Sequence, residues 1–374
     1  MKILHYCQHV LGIGHFLRSM EIASAFFEHE VFFVEGGQPL PGFEAPPHVH
    51  RLALPALMMD PEFRHLETQE GDVRHTQEER KKRLLEIYQT VRPDVVLIEL
   101  FPFGRKRFQF ELIPLLEANR TAPHSAFVVC SLRDILVEKA DPDAYEENVV
   151  RRVNRYFHLI LVHADPTCVR LDETFSRVHL IEPPMVYTGY VTRTGPNPPP
   201  PRLNHRIVLS TGGGRVGIDL IQAVCHAFSY IFRDDLRLEI YEGPFMTPED
   251  KHHLQALTSK DFRIAWKPFT PHFLKELFQA GLSISMAGYN TCMDVLSSGV
   301  KALVYPFPQN REQALRAERL ASRGALRVLR SLDAKNLAVE IQAALDAPPP
   351  NPLVLKTDGA QESVRAIEKL ILKA

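Results

Sequence analysis

The chain contains no apolar run approaching the length of a membrane span. It is also nearly without net charge: 44 Lys and Arg against 45 Asp and Glu leave −1. Nothing global therefore points to nucleic acid as a partner. Cysteine is sparse, and Cys7, Cys130, Cys168, Cys225 and Cys292 lie scattered without pair spacing. That spacing excludes a disulfide framework and a Cys-based zinc site, and favours reduced thiols in a cytoplasmic protein. The 17 histidines form no helical metal pair with a nearby acid, and the adjacent His252 and His253 point apart. No repeat of solenoid period is present. A strand pattern starts at Lys2-Ile3, which leaves no room for a secretory leader.

What is there suits two packed domains. The chain has 374 residues, of which 45% are apolar and 24% charged, enough to bury full cores. Near the midpoint stands Thr194-Gly195-Pro196-Asn197-Pro198-Pro199-Pro200-Pro201. A proline run lacks backbone donors and cannot lie inside a sheet, so it reads as a stiff spacer and a hinge. The expected division is residues 1–193, a linker at 194–205, a second domain at 206–346 and a C-terminal helical segment at 353–374. A second proline break at 347–352 precedes that segment, for which Asp358 is the expected N-cap.

Short apolar strands alternate with helical patterns in each half. Strands are expected at 3–6, 31–34, 95–98, 126–129 and 159–162, then at 207–210, 237–241, 263–266, 282–285 and 302–305. Helices fall between them, among others at 15–27, 76–91, 108–119 and 145–156. Fully apolar strands alternating with helices make parallel sheets covered on both faces. The expected fold is α/β, two doubly wound Rossmann-like domains with ligands at the carboxyl ends of the strands.

Residues 285–299 are the most informative stretch: Ser-Met-Ala-Gly-Tyr-Asn-Thr-Cys-Met-Asp-Val-Leu-Ser-Ser-Gly. A buried strand enters Ala287-Gly288, a helix opens at Asn290-Thr291, and Asp294 follows one turn on. A helix start offers unpaired N–H groups and a positive dipole end, where phosphate settles. A carboxylate one turn further on suits a ribose diol. A second phosphate element is Ser210-Thr211-Gly212-Gly213-Gly214-Arg215-Val216-Gly217, where glycines let amides converge on an anion and Arg215 adds charge. It lacks the Gly-Lys-Ser/Thr ending of a P-loop.

The first strand runs into Gly12-Ile13-Gly14-His15-Phe16-Leu17-Arg18. Gly12 and Gly14 permit a tight turn. His15, at a helix start, has its charged form disfavoured by the dipole and stands ready as a base. Arg18 suits phosphate, or a pairing with Glu21. Glu99 ends a strand and is a second candidate base, as is Asp134. Asp141-Pro142-Asp143 reads as a helix-start turn. Phe101 to Phe110 interleave aromatics with Arg105, Lys106 and Arg107, a pattern suited to an anionic membrane surface or acceptor.

These motifs resemble the GT-B glycosyltransferases of the peptidoglycan GlcNAc-transferase type (family 28-like). The resemblance rests on Gly-x-Gly-His-x-x-Arg at 12–18, the glycine loop at 212–217, Gly288, Thr291, Asp294 and Gly299, then Pro306-Phe307 and Glu312-Gln313. It covers nearly the whole chain in architecture. It implies that Asp294 holds the donor ribose, Glu312 and Gln313 the sugar hydroxyls, and Phe269 in Trp266-Lys267-Pro268-Phe269 the base. That family usually has Glu where this chain has Asp294, so the shorter carboxylate must come closer to the ribose. The resemblance implies a hexosyltransferase working without metal or cofactor on a nucleotide-diphosphate sugar, with a UDP-sugar expected. Its acceptor would be a carbohydrate, a lipid-linked or a small-molecule hydroxyl. The alternatives are a nucleotide-sugar hydrolase of similar plan, an epimerase in which Glu99 and Asp134 converge on the sugar, or a non-catalytic binding subunit that would keep its role without His15.

Overall fold

The computed structural model describes every residue except 10–12, 39–41, 60–64, 69–70, 138, 140, 215, 310, 351–354 and 373–374. The chain forms two compact units, Met1–Val191 with Leu355–Ala374, and Thr192–Val354. The proline-rich stretch from Thr194 lies in the second unit.

The first unit carries β1 (Lys2–Cys7), α1 (Gly14–Ala25), β2 (Glu30–Glu35), β3 (Val49–Ala53), β4 (Met58–Met59), β5 (Leu66–Glu67) and α2 (Val73–Val91). It continues with β6 (Val95–Glu99), α3 (Gln109–Thr121), β7 (Phe127–Arg133), α4 (Pro142–Tyr156), β8 (Leu159–His163) and β9 (Met185–Tyr187). Seven of these strands form one parallel sheet in the order β3-β2-β1-β6-β7-β8-β9. Val95 to Ile98 and Ile160 to Val162 are wholly buried, as strands covered on both faces must be. Full burial of each such side chain contributes about 1.5–3 kcal/mol. The order reverses between β1 and β6, where Tyr6 pairs with Ile98.

The second unit carries β10 (Leu203–Ser210), α5 (Ile218–Phe228), β11 (Arg237–Tyr241), α6 (Pro248–Thr258), β12 (Ile264–Lys267) and α7 (Phe273–Gln279). Then come β13 (Ala280–Met286), α8 (Tyr289–Ser298), β14 (Lys301–Tyr305), α9 (Arg311–Ala321), β15 (Arg327–Val328) and α10 (Ala334–Asp346). Six parallel strands run β12-β11-β10-β13-β14-β15, reversing between β10 and β13. Leu209, Leu238, Ile284 and Leu303 from the sheet pack with Leu220 and Val224 of α5 and Ile341 of α10. The last helix, α11 (Gly359–Ile371), returns to the first unit and packs on α1, with His29 Nε2 3.0 Å from Glu368 Oε1.

Sequence alone finds the central strands and misses the two-residue β4 and β5 and, in the large sheets, β3, β9 and β15. Each lies at or beside a sheet edge, and β3 reads Val-His-Arg-Leu-Ala rather than as an apolar run. Asp358 is also corrected: it occupies the cap position of α11, but its side chain makes no capping bond.

Helix starts differ in how they are capped. Asp72, Asp141, Thr247 and Asp333 cap α2, α4, α6 and α10 with side-chain oxygens. By contrast α5 and α8 begin on Gly217 and Gly288, which have no side chain to offer their first-turn amides.

Candidate functional site

In the first unit, the chain leaves β1 and enters α1, so His15 falls in the first turn beside the end of β6. Glu99, the last residue of β6, is fully buried. Its Oε1 lies 2.5 Å from His15 Nδ1 and accepts from Arg18 Nη2 at 2.6 Å. Its Oε2 lies 3.5 Å from Arg105 Nε. Burial works against an ionised Glu99, but His15, Arg105 and Arg18 outweigh it and hold the carboxyl below its ordinary range. The His15 ring is pulled down to about 3, by burial first, with Glu99 opposing and Arg105 and Arg18 assisting. Next to a carboxylate the neutral ring keeps its proton on Nδ1, which leaves Nε2 as a proton acceptor. The His15 side chain retains 20% exposure, enough to meet a ligand.

One expectation is corrected here. Glu99 is a buried partner of His15 and not a second base. Arg18 is 3% exposed and donates to Glu99 Oε1 at 2.6 Å. Gly14 opens α1, while Gly12 lies outside the described residues. Asp134 is buried, with Oδ1 accepting from the Ile135 N–H at 2.9 Å. Asp141 caps α4, and Asp143 pairs with Arg177 at 3.0 Å. Residues 101–110 divide between core and surface. Phe101, Phe103 and Phe108 are at most 1% exposed and belong to the core, while Lys106 and Arg107 are exposed and Gln109 and Phe110 half-buried.

In the second unit, the carboxyl ends of β10 and β13 lie side by side, with Ser210 opposite Ser285. The loop after β10 has φ of +72° at Gly212, +87° at Gly214 and +90° at Gly217, which L side chains rarely adopt. Gly214 is also pressed against Gly243 after β11: a Cβ there would stand 2.8 Å from the Gly243 Cα. Phe245 N–H donates to Gly213 O at 3.0 Å and fixes the loop. Arg215 lies outside the described residues. Across from this loop, Gly288 leads into α8, whose first turn carries Asn290 and Thr291, both half-buried. Gly299, at φ +61°, ends the helix.

Asp294 is 5% exposed. Its Oδ1 accepts from Arg193 Nε at 3.0 Å and its Oδ2 from Arg193 Nη2 at 2.5 Å, a bidentate pair. Each oxygen keeps a further lone pair, the only means by which a ribose diol would reach it. Arg193 also donates to Pro271 O at 3.1 Å, and its carbonyl accepts from Ser297 Oγ at 3.0 Å. Glu312 is buried in the first turn of α9. Gln313 Oε1 accepts from the Phe307 N–H at 3.0 Å, so this side chain shapes the turn after β14. Phe269, beyond β12, is half-buried. Sequence reasoning missed Arg193, Gly243 and Arg316. Arg316 is fully buried, with its guanidinium 5.4 Å from the Tyr289 ring. A glycine two residues past the end of β11 was the available signal for Gly243; the arginines left none.

Among the described residues no group of three or more His, Cys, Asp or Glu is placed to hold a metal. Nor, among them, is any helix long and apolar enough to cross a membrane.

Two Rossmann-like α/β units with parallel sheets define a fold of the GT-B type. Solved structures with this fold include a UDP-N-acetylglucosamine 2-epimerase, so described, from Listeria monocytogenes. It has a TM-score of 0.65 and 15% identity over 100% of this chain and 97% of that one. The calicheamicin glycosyltransferase CalG4 has a TM-score of 0.58 and 16% identity, over 99% of this chain and 94% of that one. The spinosyn rhamnosyltransferase SpnG complexed with thymidine diphosphate has a TM-score of 0.56 and 16% identity, over 100% and 96%. No curated protein sequence matches the chain. Residues 210–371 match the model of the glycosyltransferase family 28 C-terminal domain. The chain is a glycosyltransferase.

Proposed function

We propose that the chain moves a hexosyl group from a UDP-sugar to a hydroxyl of its acceptor, without a metal. The observation that carries this reading is the His15–Glu99 pair, a neutral imidazole oriented by a buried carboxylate at the mouth of a parallel sheet. His15 Nε2 takes the acceptor hydroxyl proton as the oxygen bonds to the sugar C1. The bond from C1 to the phosphate oxygen breaks, and its electron pair leaves with the nucleoside diphosphate. In the second unit, the amides of residues 212–214 and of the α8 first turn stabilise the departing charge. Their uncapped glycine starts support this role. Asp294, oriented by Arg193, takes the ribose diol, Phe269 packs on the base, and Glu312 with Gln313 faces the sugar hydroxyls. The thymidine diphosphate bound to SpnG supports a nucleoside diphosphate as the ligand class.

The test is NMR of the purified protein with a panel of nucleotide sugars and no acceptor. Binding without turnover supports the transferase and names its donor. Steady release of free sugar, abolished in His15→Ala, would replace it with a hydrolase; no binding to any member would sink both.

A further inference from the structure

Arg105 lies in a loop of unusual backbone. Leu100, just after β6, has φ +66°, and Arg105 itself has φ +58°. Non-glycine residues hold the left-handed region only where their surroundings compel it, and such residues gather at functional sites. Here the compulsion is visible. Gly104 N–H donates to Leu100 O at 2.8 Å, and Gly104 is packed so tightly on the Leu100 side chain that a Cβ would lie 2.6 Å from its Cδ2. Phe101, Phe103 and Phe108 anchor the loop in the core. The following Lys106 and Arg107 face solvent. Arg105 alone turns inward, with its side chain 8% exposed.

The guanidinium it brings in is incompletely matched. Its Nε comes no closer than 3.5 Å to Glu99 Oε2, and both Nε and Nη2 are buried without a hydrogen-bond partner. Arg18 already donates to Glu99 Oε1 at 2.6 Å, and Oε2, also buried without a hydrogen-bond partner, faces only Arg105 Nε, so Glu99 leaves Nη2 unmatched. With His15 neutral, two guanidiniums share the Glu99 carboxylate, an excess of one positive charge among the described residues of this group. A buried charge left without a counter-charge is costly, and a bound anion removes the cost. A neighbouring ring is incomplete too: His9 Nε2 lies 2.8 Å from Gln38 O, and its Nδ1 is buried without a partner.

We propose that Arg105 selects the acceptor: its inward guanidinium takes a carboxylate or phosphate oxygen of the molecule whose hydroxyl meets His15, so the acceptor is an anionic hydroxyl compound. The proposal rests on the transferase reading of the His15 site. Arg105 is a specificity residue in it, not a proton carrier. An anion bound there lies beside the base, and would hold the acceptor hydroxyl in place while the His15–Glu99 pair stays as it is.

The experiment titrates the protein with inorganic phosphate, and separately with acetate, following the imidazole nitrogen resonances of His15 by NMR. Expected are saturable shifts in the native protein, at least a tenfold weakening in Arg105→Gln and Arg105→Ala, and a smaller loss in Arg105→Lys. Phosphate is expected to shift the same resonances equally with saturating UDP present. Phosphate binding as tight in Arg105→Gln as in the native protein would mean an adventitious ion only and would overturn the proposal. Competition by UDP would also overturn it, since the anion would then be the donor's diphosphate. UDP affinity, measured on the same samples, separates the two levels. Loss of phosphate binding with UDP binding intact in the Arg105 variants supports the proposal. Native protein that binds UDP but neither anion refutes the proposal without touching the transferase reading.

Discussion

Glu99 Oε1 stands 2.5 Å from His15 Nδ1, although 84 residues separate the two along the chain. The carboxylate fixes both the tautomer and the direction of the ring. Glu99→Gln keeps the size but replaces the acceptor with an amide that no longer demands the proton on Nδ1. The expected result is a fall in kcat of about 10²–10⁴, the usual contribution of a positioned base. UDP affinity should be unchanged. A steady-state assay with calorimetric UDP titration checks both; full activity in Glu99→Gln would remove Glu99 from the mechanism.

The depressed His15 sets the pH behaviour. Because its folded value is about 3, the acid limb of kcat/KM should not appear at the ordinary histidine value near 6.5, and the profile should stay level well below it. Stability moves in a defined direction. His5 and His15 both fall to about 3 on folding. Between about 6.5 and 3 the unfolded chain therefore binds protons that the folded one refuses. The stabilisation is complete above 6.5 and is lost as pH falls through that window, by up to about 1.4 kcal/mol per group and pH unit. Urea melts at a series of pH values measure the slope; a slope of opposite sign would contradict the buried neutral rings.

Arg193→Ala leaves Asp294 buried and unpaired. Breaking a buried pair in this way costs roughly 3–5 kcal/mol, here an upper figure because Arg193 retains 15% side-chain exposure. Thermal melts should show the loss, and UDP binding should weaken with it. The double variant Arg193→Met with Asp294→Leu should recover much of the stability and none of the UDP binding. Recovery of binding in the double variant would show that the pair does not serve the nucleotide.

Gly212 and Gly214 of the 212–214 loop should respond differently to alanine. At Gly212, φ is +72° but a Cβ meets nothing within 4 Å, so only backbone strain of about 1–2 kcal/mol applies. At Gly214 the same strain is joined by a clash with the Gly243 backbone. Gly214→Ala should therefore lose at least tenfold in UDP affinity while Gly212→Ala loses less, as read by calorimetry. Equal effects would mean that close backbone approach is not what this loop provides.

Chelation offers a simple check on the electrostatics. If amides at the glycine loop and the α8 start suffice for the departing diphosphate, transfer rates should be the same with and without excess EDTA. A large fall restored by a divalent cation would contradict metal-free departure.

The fold was legible where burial is uniform. Val-Val-Leu-Ile-Glu of β6 and Leu-Ile-Leu-Val-His of β8 are hidden on both faces, so they read as apolar runs. The edge strands carry no such mark: β15 is the pair Arg327-Val328, and β9 is partly exposed throughout. The site was legible where the backbone imposes a residue type. Gly212, Gly214 and Gly299 have positive φ and so announced their turns. Pairings across the sheet were not. His15 and Glu99 each stood out alone, yet their contact depends on the β1–β6 register, which no local pattern encodes. Arg193 and Asp294 lie 101 residues apart, and a surface-like arginine among proline and threonine gave no hint of its partner. Phe101, Phe103 and Phe108 misled for a related reason, since aromatics beside basic residues read alike whether they face a ligand or the core.

The return of α11 makes the first unit discontinuous in sequence. Its sheet is complete by Tyr187, but α1 waits for a helix that begins at Gly359. In effect the second unit is an insertion between the body of the first and its closing clasp. Tyr190 N–H donates to Lys356 O at 2.7 Å, and Lys356 N–H donates to Asp165 Oδ2 at 2.9 Å, so the outgoing and incoming segments are stitched together at the point of insertion. A fragment ending near residue 191 would leave the α1 flank uncovered. A short linker joining 191 to 355 would instead excise the second unit and leave the clasp in place.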